Sequence, residues 1–127
     1  EKFGPRSDIV GTQVDIVPTI MGRLGGEFRQ QCWGRDLLTL PAGDKGSGVI
    51  KPSGSDQTVA IISDDHLLVQ PKDMPAKVWQ YTLGANPEAK VVTDSAQEAA
   101  LKQKLESFLQ TATKSLLDNT AGVADPK

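Results

Sequence analysis

The sequence predicts an α+β fold: a small antiparallel β-meander packed by a C-terminal amphipathic helix and preceded by a short helix. Three observations carry that expectation. Residues 57 to 83 alternate with the period of strands and are punctuated by turn residues. From Asp94 onward, apolar residues recur every three or four positions. Gly84, Asn86 and Pro87 separate the two patterns, so strands and helix are distinct elements that must bury their apolar sides against one another.

In chain order, Ile9 to Val14 is a strand-like run, and a short helix is expected from Asp15. There Asp15 can cap free backbone amides, Pro18 is tolerated in the first turn, and Ile16, Val17, Ile20, Met21 and Leu24 form an apolar stripe. Gly25 and Gly26 supply the stop. Residues 41 to 57 read as loop around one short strand at Val49 and Ile50. Thr58 to Ser63 and His66 to Gln70 form a hairpin about Asp64 and Asp65. Pro71, Asp73 and Pro75 break the chain before a strand in which Trp79, Tyr81 and Leu83 make one large face. The last helix begins at Asp94 or Ser95, with Gln97 or Glu98 answering three residues on. Its stripe of Leu101, Leu105, Phe108, Leu109, Ala112 and Leu116 is expected to pack on the Trp79 face, and the tail from Asn119 to Lys127 to fray.

Composition bounds the function. A chain of 127 residues suits one core, and a formal net charge of −2 with 38% hydrophobic residues offers no basic field for nucleic acid. No run approaches the roughly 20 apolar residues of a membrane helix, so direct membrane insertion is not expected. The chain opens on Glu1 without a basic-then-apolar leader, and is expected to begin mid-protein or after processing. A lone Cys32 forms no internal disulfide and leaves the redox compartment open.

Two segments together resemble one family. The first is Val14-Asp15-Ile16-Val17-Pro18-Thr19-Ile20-Met21 with Leu24-Gly25, followed by Trp33-Gly34-Arg35-Asp36-Leu37-Leu38. The second is Trp79-Gln80-Tyr81-Thr82-Leu83-Gly84-Ala85-Asn86-Pro87-Glu88 with the helix behind it. In this order they are similar to the C-terminal region of sulfatases and lipoteichoic-acid-synthase-like phosphoglycerol transferases, of the alkaline phosphatase superfamily. Thr82 and Ala85 stand where sulfatases often carry acidic residues, which favours the transferase branch.

The resemblance implies a periplasmic or extracellular parent anchored in the inner membrane, acting on membrane lipid or cell-envelope glycan with a divalent metal (Mn, Mg, Zn or Ca). It implies that residues 1-42 form a strand-helix segment at the edge of a catalytic core lying elsewhere in the polypeptide, and 43-127 a C-terminal α+β subdomain. That core is the expected partner. Without it, the apolar groups of the first third are expected to drive homodimerisation or fold back on the sheet. A freestanding extracytoplasmic binding module is the alternative.

No catalytic, cofactor-binding or metal residue is assigned. His66, the single histidine, reads as a solvated hairpin residue, because side chains of Asp64, Asp65 and His66 would diverge along a strand. Asp15 reads as a helix cap, Cys32 as a buried or half-buried thiol without a base, and Arg35 as a locally paired residue of a Gly-Arg-Asp turn. Gly43 to Gly48 lacks the spacing of a phosphate loop and reads as flexible.

Overall fold

A computed structural model describes residues 8–28, 30, 32–52 and 56–120. The fold is α+β. A short helix, Ile16–Leu24 (α1), precedes strands Ser47–Ile50 (β1), Val59–Ser63 (β2), His66–Gln70 (β3), Lys77–Thr82 (β4) and Glu88–Val92 (β5), and the chain closes with the helix Ser95–Leu117 (α2). The five strands form one antiparallel sheet in sequence order, a meander.

The register explains which side chains are buried. Val49, Ile61, Leu68, Val78 and Val92 are successive cross-strand partners, one per strand, and form an apolar row across the sheet. Leu101 and Leu105 of α2 press onto that row, with Ile61, Leu68 and Val78 at its buried centre and Leu109 packed beside it. Burying each such side chain contributes about 1.5 to 3 kcal/mol. Asp94 starts α2 by accepting from the N–H groups of Ala96 (3.0 Å) and Gln97 (3.1 Å). Asn119, at φ 51°, ends it, and the Thr120 N–H reaches Ser115 O at 2.8 Å, so Asn119 and Thr120 close the helix rather than fray from it. The rest of the tail, 121–127, lies outside the described residues.

Four expectations need correction. The helix covers the Val78 face, not the Trp79 face. Side chains alternate along a strand, and in this register Trp79 falls in the opposite row with Gly48, Ile62, Leu67 and Val91. Leu116, expected on the buried stripe, is 62% exposed. Residues 9 to 14 form no strand. Val10 makes a single parallel bridge to Gly46, and Gln13–Asp15 then tightens into a 3-10 turn. Finally, β5 occupies residues expected to lead straight from turn to helix.

Candidate functional site

The two halves of the first motif meet in a polar knot built on Asp15, which is 2% exposed. Its Oδ2 accepts the Thr12 N–H at 2.8 Å, and its Oδ1 accepts the Arg35 N–H at 2.8 Å. The Arg35 side chain returns to the same carboxylate, Nε to Oδ1 3.6 Å, and its Nη2 donates to Ser47 O of β1 at 2.6 Å. Thr19, one turn along α1, donates to Asp15 O (2.7 Å) and accepts the Leu37 N–H (3.1 Å). Asp15 therefore does not cap α1 with its side chain, as expected from its position. It binds the backbone before the helix and the backbone of the Gly-Arg turn 20 positions later. Nor is Arg35 paired only within its turn. It joins α1's entry to the sheet.

Gly34 permits this approach, since a Cβ there would lie 1.8 Å from Val14 O. Asp36 completes the turn by accepting the Leu38 N–H at 2.9 Å and facing Arg23 of α1 at 3.5 Å. Buried carboxylates persist where every lone pair is met, and here two amides and a guanidinium meet this one. The Asp-x-x-Pro-Thr and Gly-Arg-Asp residues thus act as a clamp that sets the direction of α1.

Known protein families, curated proteins and solved structures contain no match to the chain.

The clamp fixes α1 so that Ile16 (53%), Val17 (60%), Ile20 (53%) and Leu24 (73%) face outward. This stripe does not fold back over the sheet. A second uncovered apolar surface is the Trp79 row, where Leu67, Val69, Pro71, Met74, Pro75 and Trp79 line a hollow of about 530 Å³.

His66 is not a splayed, fully solvated residue. The Asp64–Asp65 turn, with Asp64 at φ 54°, folds the Asp65 carboxylate back, so that Oδ1 lies 2.6 Å from His66 Nδ1 and Oδ2 accepts Gln80 Nε2–H at 2.8 Å. The Gln80 bond, opposed by partial desolvation and aided by His66, holds the Asp65 carboxyl below its ordinary value. Tyr81 donates to Asp64 O at 2.6 Å, and burial, then the charges of Asp65 and Asp64, push its phenol upward. Among the described residues no group of three or more His, Cys, Asp or Glu could hold a metal, and no helix is long and apolar enough to cross a membrane.

Cys32, expected to be buried or half-buried, is exposed. The Gly43 to Gly48 stretch, expected to be a flexible loop, is a turn that runs into β1 at Ser47. Asp44 Oδ1 accepts the Gly46 N–H (2.8 Å), and the Val10 N–H donates to Lys45 O (2.8 Å). Sequence reasoning missed the contacts that join the first third to α2, above all Trp33 Nε1–H to Ser115 Oγ at 2.8 Å. A separation of 82 positions leaves no periodic trace to find.

Proposed function

We propose that this chain is a non-catalytic C-terminal subdomain that braces the catalytic core of an extracytoplasmic sulfatase-like hydrolase or phosphoglycerol transferase, one acting on membrane lipid or cell-envelope glycan. The observation that supports it is the outward apolar stripe of α1, held in place by a buried clamp made from the residues that carry the family resemblance. An unsupported surface helix turns its apolar side inward, whereas a clamp that turns it outward is suited to a partner surface. In this reading the parent is anchored in the inner membrane with its catalytic part outside. The divalent metal and nucleophile belong to the core, and the core covers α1. The isolated chain covers the same stripe by pairing with a second copy.

The full reading frame tests the proposal. Membrane helices followed by an Asp/Ser/Thr/His metal-site pattern upstream of Glu1 are expected. A frame holding only a secretory leader before Glu1 would refute it in favour of a freestanding binding module. In the longer protein, Ile16→Ser with Ile20→Ser is expected to lower ester hydrolysis or transfer and to expose a proteolytic cut between core and subdomain, while unchanged activity and unchanged proteolysis would count against bracing.

A further inference from the structure

We infer that the cleft between the amino-terminal segment and α2 is a binding site for a saccharide unit, a use that does not depend on the chain being part of a larger enzyme. The cleft encloses about 570 Å³, inside the range of roughly 300 to 1,000 Å³ common to small-ligand sites. One wall is aromatic. Trp33 and Phe108 pack edge to face, with centroids 6.2 Å apart and planes at 78°. Because the indole is tied to Ser115 Oγ, this wall is fixed before a ligand arrives, which reduces the ordering cost of binding.

The polar side is equally set. Ser47 and Ser63 are direct cross-strand partners, so the groups they hold stand close together. Arg35 Nη2 donates to Ser47 O at 2.6 Å, and Lys104 Nζ donates to Ser63 Oγ at 3.3 Å. Asp15 answers Arg35, and Asp44, also on the lining, has one carboxylate oxygen on the Gly46 amide. Arg35 and Lys104 against Asp15 and Asp44 make the lining formally neutral.

A neutral lining gives little net attraction to an inorganic anion. Its chemistry is a mixture: the Lys104 ammonium has three donors with one neutral hydroxyl for a partner, Gln103 and Ser107 both donate and accept, and Asp44 accepts. Set against a fixed aromatic wall, that mixture suits a sugar ring, whose hydroxyls donate and accept while its C–H face is apolar. A flat hydrocarbon ligand would leave Lys104 and Asp44 desolvated without partners, at a cost.

The test uses tryptophan emission. The chain has two tryptophans, and Trp79 lies on the other sheet face, so Trp79→Phe leaves Trp33 as the reporter. Titrations use D-glucose, N-acetyl-D-glucosamine and D-glucuronate, with inorganic phosphate as the anion probe. At least one sugar is expected to change Trp33 emission saturably, and Lys104→Met or Gln103→Ala, both exposed helix positions, to weaken that sugar about tenfold, the size of one good polar contact. Circular dichroism checks that each variant is folded. The inference is overturned if no sugar alters the emission, if phosphate does and sugars do not, or if folded Lys104→Met and Gln103→Ala chains respond as the parent chain does.

Discussion

Asp15 is the residue on which the amino-terminal third depends. Replacing it with Ala leaves the Thr12 and Arg35 amides and the Arg35 guanidinium without their common acceptor. Asp15→Ala is expected to cost about 3 kcal/mol in urea unfolding, as breaking one side of a buried pair does. A loss no larger than about 1 kcal/mol, the size of a surface helix cap, would mean the clamp is not the role of this carboxylate. The hairpin offers a finer test. In the folded chain the Gln80 bond makes Asp65 a weaker proton binder than in the unfolded chain. Its contribution is therefore complete above the unfolded pKa and disappears as pH falls through the lower folded value, below about pH 4. Gln80→Leu should lower stability near neutral pH and flatten the acid loss, measured by urea titrations at pH about 6 and about 3.

At the scale of elements, α2 and the sheet divide the apolar residues unequally. Leu105, 1% exposed, sits at the middle of the helix–sheet contact, whereas half-buried Trp79 faces away from it. Leu105→Ala is expected to cost about 3 kcal/mol and Trp79→Ala only about 1, reversing the order that side-chain size suggests; equal losses in denaturant would contradict the assigned faces. The hairpin at Asp64–Asp65, β4 and the Asp94 start of α2 were legible because alternation, turn residues and capping are local signals. The choice of covered face was not. Both rows of the sheet are apolar, Val49-Ile61-Leu68-Val78-Val92 on one side and Ile62-Leu67-Trp79-Val91 on the other, and alternation alone does not rank them. β5 was hidden by the turn residues before it. Gly84, Asn86 and Pro87 suggested a turn running on into the helix, although Val91-Val92-Thr93 carried the β-branched signal. The clamp was half legible: both motifs stood out, and their meeting did not, because Asp15 looked sufficient as a cap for its own helix.

For the molecule as a whole, apolar surface outruns what one small core encloses. The α1 stripe and the Trp79 row lie on different elements, so covering one leaves the other open. Ile16→Ser with Ile20→Ser should reduce hydrophobic-dye fluorescence and shift a sedimenting dimer toward monomer, while changing unfolding free energy by no more than about 0.5 kcal/mol, since both residues are already more than half exposed. A monomer with undiminished dye binding would direct attention to the Trp79 row instead.

The Trp33–Ser115 bond also imposes an order on folding. Every strand pairs with its neighbour in sequence, so the meander closes through short loops at small entropic cost. The first third can complete its attachment only after α2 exists, 82 positions later. It is therefore the last part to join and the first to leave. Native-state hydrogen exchange should divide the protein into two cooperative units, with the Thr12, Arg35 and Leu37 amides opening at lower free energy than those of Leu68 and Val78. On a ribosome, α1 would emerge before the sheet and α2, and of these elements it would wait longest for its place.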